Sequence, residues 1–185
     1  MQEPSETTDR TLIEKTARGD QDAFASLIRR HQNLVLSIAY RFLGSRADAE
    51  DAAQEVFIRM WGAAPRYRPE APLGAYLRTV AVNYCLDLKR KKIRLVTTAF
   101  EEEPGGTQDP HGEVEGLERG TALRAALQSL PASQRMAVVL FHFEGLDVRE
   151  VARLLETSPK AVESLLSRAR SALRERLHPL LLKDP

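Results

Sequence analysis

Three stretches of this chain carry side chains suited to contacting other macromolecules. From Gly145 to Arg170, a short apolar-periodic segment is followed by the turn Glu156-Thr157-Ser158-Pro159 and a longer periodic segment. That is the order of a helix-turn-helix. In the longer segment Val162, Leu166, Ala169, Leu173 and Leu177 share one side. Lys160, Ser164, Ser167 and Ser171 share the other, bordered by Glu163, Arg168 and Arg174. Short side chains let a helix sit deep in a major groove, where Ser, Lys and Glu meet base edges and Arg reaches phosphates. The same spacing also suits a plain helical hairpin with a solvated outer face.

The second stretch interleaves cations with aromatics: Trp61, Arg66-Tyr67-Arg68, Tyr76 and the run Lys89-Arg90-Lys91-Lys92. Aromatic rings offer platforms for unpaired bases, and cations track a phosphate backbone. Core packing is the competing role for Trp61 and Tyr76, and the better one for Tyr84, which lies on an apolar stripe. The third stretch is acidic. Asp48, Asp51 and Glu55 are three and four residues apart and share a helix face, with Glu50 and Gln54 beside them. Such a stripe suits docking of a basic partner helix. It equally suits a solvated face whose acids complement the helix dipole.

Helices are expected to position all three stretches. Asp20 is an N-cap ahead of Phe24, Leu27, Ile28, Leu34, Val35, Ile38 and Phe42, and Gly44 ends that helix. Ser45-Arg46-Ala47-Asp48 opens a second helix running to about Trp61. Pro65, Pro69 and Pro72 interrupt helix formation. A third helix from Pro72 carries Leu73, Leu77, Val80, Tyr84 and Leu88 and ends in the basic run. Beyond an acidic linker rich in turn residues, one helix covers about Val114 to Ser129 and another runs from Pro131 to Gly145. Asp147-Val148-Arg149-Glu150 is a capping box. Ser158 caps the final helix, which runs to about His178. Residues 1–10 are polar and expected to fray. No strand-type alternation or internal repeat is visible. The fold class is therefore all-α, with two small helical domains, 11–94 and 113–182, joined by a flexible acidic linker, 95–112. The second domain contains the helix-turn-helix.

With 185 residues, the chain has room for two such domains. The single cysteine, Cys85, rules out an internal disulfide and fits a reducing compartment. The longest apolar run, Met136 to Phe141, is far too short to span a membrane, and the acidic N-terminus is not a secretory signal. A cytoplasmic protein without membrane insertion is expected. Net charge is only +1, but its distribution is uneven. Arg66 to Arg94 holds eight Lys/Arg and two acids, whereas Leu95 to Glu118 holds seven acids and no Lys/Arg. Two basic segments flanking an acidic one suit two nucleic-acid surfaces joined by a tether, or two solvated faces and a polar loop. There is no Gly-rich phosphate loop, metal-ligand pair or nucleophile motif, so neither enzymatic activity nor a cofactor is expected.

Taken together, three segments resemble those of the extracytoplasmic-function sigma factors of bacterial RNA polymerase. Asp48-Ala49-Glu50-Asp51-Ala52-Ala53-Gln54-Glu55-Val56-Phe57-Ile58-Arg59-Met60-Trp61 resembles the family's polymerase-binding helix. Ala75-Tyr76-Leu77-Arg78-Thr79-Val80-Ala81-Val82-Asn83, with Asp87 and the basic run, is similar to the segment that opens and holds the −10 element. Leu130-Pro131, Arg135, Gly145-Leu146, Glu150-Val151-Ala152, Val162-Glu163-Ser164 and Arg168-Ala169-Arg170 resemble the −35-reading helix-turn-helix. Tyr76 stands where the family usually has Trp, and Leu165 where it often has Arg. Lys160-Ala161-Val162 replaces a frequent Gly-Thr-Val.

The resemblance implies polymerase contacts at Asp48, Glu50, Asp51, Gln54, Glu55 and Ile58. It implies −10 contacts at Arg66, Tyr67, Tyr76, Arg78, Asn83, Lys89, Arg90, Lys91 and Lys92, and −35 contacts at Lys160, Glu163, Ser164, Ser167, Arg168 and Arg170. The implied partners are core RNA polymerase, promoter DNA (duplex and melted strand) and an anti-sigma factor. The alternative is a helix-turn-helix regulator that binds duplex DNA without polymerase.

Overall fold

The structure, a computed structural model, describes residues 8–68, 71–98 and 114–181. The described residues form helices α1 (Asp9–Thr16), α2 (Gln21–Leu43), α3 (Arg46–Ala63), α4 (Leu73–Thr98), α5 (Val114–Gln128), α6 (Ala132–Val138), α7 (Val148–Leu154) and α8 (Pro159–Leu181), and no strand. The linker is expected to begin at residue 95, but α4 continues through Thr98; the rest of it, residues 99–112, and residue 113 lie outside the described residues.

In the first lobe α2 is the hub. Asp20 accepts the Ala23 N–H at 2.9 Å, satisfying one of the orphan donors of the first turn. Leu27, Val35, Ile38 and Phe42 recur at helical spacing and are fully buried. The helix stops at Gly44, whose φ of +80° is open to glycine but costly for other residues. Its N–H donates to the Tyr40 carbonyl at 2.8 Å. Ser45 then caps α3 through the Asp48 N–H. Ala49 and Ala52 let α3 approach α2 closely, while Val56, Phe57 and Met60 fill the core behind them. From α4 come Leu73, Leu77, Ala81, Val82 and Cys85.

Of residues 1–10, expected to fray, 1–7 lie outside the described residues, but α1 begins at Asp9. Thr8 caps it, and Leu12, Ile13 and Thr16 are buried. Asp9 secures the start of α1 by accepting from Arg30 at 3.1 Å and pairing with His31 at 2.7 Å.

The second lobe buries Met136, Leu140, Val151, Val162, Leu166 and Ala169, which join the buried residues of the first lobe in one contiguous core. Sequence periodicity suggested an uninterrupted helix from Pro131 to Gly145. Instead α6 widens into a π-turn over Val139–Phe143, with the Glu144 N–H reaching the Val139 carbonyl at 3.1 Å. The capping box forms as expected. The Asp147 carboxylate accepts from the Glu150 N–H at 2.8 Å, and the Asp147 N–H donates back to Glu150 at 2.9 Å. Ser158 accepts from the Ala161 N–H at 3.2 Å to cap α8.

The two lobes touch. The C-terminal part of α2 packs on α5, α6 and the π-turn, and α4 meets α6. At the centre is Arg135, only 2% exposed. Among the described residues no helix is long and apolar enough to cross a membrane, and no His/Cys/Asp/Glu group is arranged to hold a metal.

Candidate functional site

On α3, burial of Ala49, Ala52, Val56 and Met60 turns the opposite face outward. That face carries Asp51 and Gln54, both exposed, half-buried Glu55, and Ile58, which is 63% exposed. An exposed isoleucine among acids leaves apolar surface unsatisfied by the fold. Beside it runs a groove of about 500 Å³ between α2 and α3, lined by Phe24, Ile28, Leu36, Glu50, Phe57 and Ile58. Glu50 pairs with Arg46, and Glu55 with Arg59, both at 2.8 Å. Asp48 is drawn toward α4, where Lys92 donates to it at 3.2 Å. The stripe and groove together offer charge at the rim and apolar contact at the centre, the usual arrangement of a protein interface.

The nine residues expected to face a −10 element divide between two sides of the chain here. Tyr76, Asn83 and Arg90 repeat every seven residues and so form one outward stripe along α4. Tyr67, from the loop before α4, meets Tyr76 edge to face at 5.3 Å. It also donates to the Ala71 carbonyl at 3.1 Å, pinning that loop. Burial, reinforced by Tyr76, raises the Tyr67 phenol above its ordinary value, so it remains a donor at neutral pH. Arg66 and Lys91 are exposed. Arg90 is held by Asp87 at 3.0 Å.

Arg78 and Lys89 lie on the side of α4 that flanks the core. The Arg78 Nε is buried without a hydrogen-bond partner. Lys89 is half-buried, and its ammonium pKa is lowered by burial and then by the field of Arg135. These two cations are therefore less available to a phosphate than Arg90 or Lys91.

On α8, Lys160, Glu163, Ser164, Ser167, Arg168 and Arg170 are all exposed, because Val162, Leu166 and Ala169 bury the other side. Lys160, Ser164, Ser167 and Ser171 fall within about 60° of one another around the helix, while Arg168 and Arg170 lie on opposite flanks. Small polar groups at the centre with guanidinium groups on both edges match a groove with a phosphate ridge on either side. Arg168 folds back onto Ser164, donating to its hydroxyl at 3.1 Å.

The Sigma-70 region 2 family matches residues 27–94, and Sigma-70, region 4 matches residues 120–173. The ECF RNA polymerase sigma factor SigE of Mycolicibacterium smegmatis is 36% identical over 95% of this chain and 70% of its own length. The chain belongs to the extracytoplasmic-function sigma factors. The ECF RNA polymerase sigma-E factor of Escherichia coli is 31% identical, over 94% of this chain and 96% of that protein. Among solved structures, CnrH in complex with the cytosolic domain of CnrY matches with a TM-score of 0.65 at 28% identity, over 92% of this chain and 97% of that one. RpoE of Bartonella quintana, in complex with the anti-sigma factor NepR, shares the fold with a TM-score of 0.67 at 23% identity, over 84% of this chain and 96% of that one. As a sigma factor, the protein directs RNA polymerase to promoters and has no catalytic residue of its own.

Sequence reading missed two features of these faces. The groove wall contributed by Phe24, Ile28 and Leu36 belongs to α2, whose apolar stripe is wider than one partner helix can cover. Arg59 links two faces: it pairs with Glu55 and lies over the Tyr84 ring at 4.8 Å. Its position four residues after Glu55 was the available signal.

Proposed function

We propose that this sigma factor acts through three surfaces, with residues 11–94 forming the polymerase and −10 domain, 95–112 a tether, and 113–182 the −35 domain. Asp51, Gln54, Glu55 and Ile58 dock core polymerase, with Asp48 and Glu50 at the margin. Tyr67, Tyr76 and Asn83 line the place where an unstacked base of the melted strand is held. Holding such a base costs a few kcal/mol of stacking, offset by ring contacts and by the exposed cations Arg66, Arg90, Lys91 and Lys92 on the backbone. Arg78 and Lys89 add charge along α4. On the −35 element Lys160, Glu163, Ser164 and Ser167 meet base edges, and Arg168 and Arg170 meet phosphates. Two weak contacts carried on one polymerase gain affinity through effective concentration.

The observation that carries this reading is the exposed Ile58 in its acidic stripe beside an unfilled apolar groove. A duplex-binding regulator working alone has no use for such a surface. The protein acts in the cytoplasm, where polymerase is. An anti-sigma protein is a further partner, as the anti-sigma factor NepR is of RpoE.

The test is transcription by purified core polymerase with and without this chain, with genome-wide mapping of 5′ ends, beside gel shifts by the free chain. Discrete start sites that depend on the chain are expected, with weak binding by the chain alone. Tight specific binding without polymerase, and no discrete starts with it, would overturn the reading.

A further inference from the structure

Both rings assigned to the base-holding place are carried by elements that meet at one corner of the first lobe. Tyr76 sits in the first turn of α4, its N–H donating to the Pro72 carbonyl at 3.4 Å. Tyr67 follows the 3₁₀ turn Ala64–Arg66, and its N–H donates to the Ala64 carbonyl at 3.3 Å. Helix α1 packs on α2 and on that 3₁₀ turn, where Ala64 is buried.

The corner is held by Asp9 of α1. Its two carboxylate oxygens serve neighbouring residues of α2. One accepts from Arg30 Nη1 at 3.1 Å and the other from His31 Nε2 at 2.7 Å. An ionised carboxylate only accepts, so the proton of that short bond lies on Nε2. The His31 side chain is 16% exposed, and a hydrogen bond to an ion is stronger than one between neutral groups. Asp9 also stands in the first turn of α1, where its charge complements the helix dipole.

The far side of the His31 ring reaches α4. A Cβ on Gly74 would lie 3.8 Å from His31 Nδ1, 3.9 Å from its Cε1 and 3.6 Å from Leu34. The first turn of α4 therefore lies flush against His31, just ahead of Tyr76. Asp9 is felt at the other ring as well. Burial, Tyr76 and the Asp9 carboxylate, in that order, raise the Tyr67 phenol. One carboxylate thus joins α1 to α2 beside both rings, and its hold extends to Tyr67 through the 3₁₀ turn and to Tyr76 through His31 and Gly74.

We propose that Asp9 and His31 are positioning residues for promoter opening: their pair fixes the 3₁₀ turn and the first turn of α4 so that Tyr67 and Tyr76 stand ready to receive an unstacked base. The role rests on Tyr67 and Tyr76 holding that base. Neither Asp9 nor His31 touches DNA in it. Preorganising the two rings lowers the ordering cost that binding a flipped base would otherwise carry. The docking face of α3 and the reading face of α8 do not depend on the pair. Its loss therefore acts on strand opening and spares polymerase assembly and duplex binding.

Two measurements on the full chain test the proposal. The first is hydrogen exchange of the free protein. Asp9→Ala removes the grip, while buried Leu12 and Ile13 keep α1 docked. Backbone amides of residues 64–68 and 71–76 should exchange about tenfold faster than in the parent, with the rest of α4 unchanged. Glu14→Ala, which removes only the exposed pair with Arg10 on the same helix, should leave exchange at the parental rate. Parental exchange in Asp9→Ala, or equal loosening in Glu14→Ala, would overturn the proposal. The second measurement is the fluorescence of 2-aminopurine placed in the −10 element, read with holoenzyme beside duplex binding and native-gel assembly. Asp9→Ala should open about tenfold less promoter, while assembly and duplex binding stay within about twofold of the parent. His31→Gln, whose amide N–H can take the place of Nε2–H, should open nearly as the parent does, whereas His31→Leu should match Asp9→Ala. Parental opening by Asp9→Ala, or equal losses in assembly and opening, would overturn the proposal wherever Tyr76→Ala itself impairs opening. If Tyr76→Ala opens promoter normally, the fault lies with the base-holding assignment, and exchange alone decides the pair.

Discussion

Arg168→Ala is the most informative single substitution on the −35 face. Arg168 is exposed on one flank of α8 and parked on Ser164, with contacts of 3.3 Å to the carbonyl and 3.1 Å to the hydroxyl. These exposed contacts are weak, so the guanidinium can leave them for a phosphate at a cost of under about 1 kcal/mol. A cation that neutralises one phosphate contributes about 0.9 to the slope of log affinity against log salt. Between 50 and 200 mM salt, that one contact makes the parent lose about 3.5-fold more affinity than the variant, or about 0.7 kcal/mol. The assay is fluorescence anisotropy of a promoter fragment titrated with holoenzyme at several salt concentrations. Arg168→Ala should bind more weakly at low salt and with a slope shallower by about one. Ser164→Ala, which removes the parking site but keeps the cation, should change the intercept and leave the slope alone. A slope for Arg168→Ala equal to that of the parent would remove Arg168 from the phosphate contacts.

Two further outcomes follow from the site and the core. Reversing charge with Asp51→Lys and Glu55→Lys should abolish holoenzyme assembly by native gel while helical circular dichroism is preserved, since both side chains point away from the core; normal assembly would refute the docking face. Burial raises the Cys85 thiol from its ordinary value of 9.0 to about 12. The unfolded chain therefore ionises there first, so stability from this group is full below pH 9 and declines as pH climbs toward 12. In urea melts the stability difference between the parent and Cys85→Ala should shift by about 1.4 kcal/mol per pH unit above 9 in favour of the variant. A pH-independent difference would show that the thiol titrates normally.

What could be seen in the sequence was what short-range chemistry decides. Asp20, Ser45, Asp147 and Ser158 each announce a helix start because the capping acceptor and the N–H it serves are three residues apart. The outward faces of α3 and α8 follow from helical periodicity, which also says which side must be buried. Helix α1 escaped notice because eight residues give barely two turns of pattern, and its stability comes from Asp9 meeting Arg30 and His31, more than twenty positions away. The division of the α4 cations was hidden for a related reason. Lys89 and Arg90 are neighbours in a basic run, but the helix turns by about 100° between them, and a second lobe lies on one side. Arg135 looked like a family signature rather than a buried tie, because its partner carbonyl on Phe42 belongs to another lobe.

The widened turn at Val139–Phe143 makes chain length there a fixed count. It accommodates one residue more than an ordinary helical turn spanning the same height. Deleting a single residue from it would relax the backbone to regular geometry and leave every buried methyl group of α6 in place. Because the extra residue is taken up within the turn, the chain beyond it would keep its direction, and α7 and α8 would stay packed on α6 and on each other. The change would fall on the side chains inside the turn, among them the fully buried Val139 and Leu140, so such a deletant would keep its reading head in place and lose stability at the core instead.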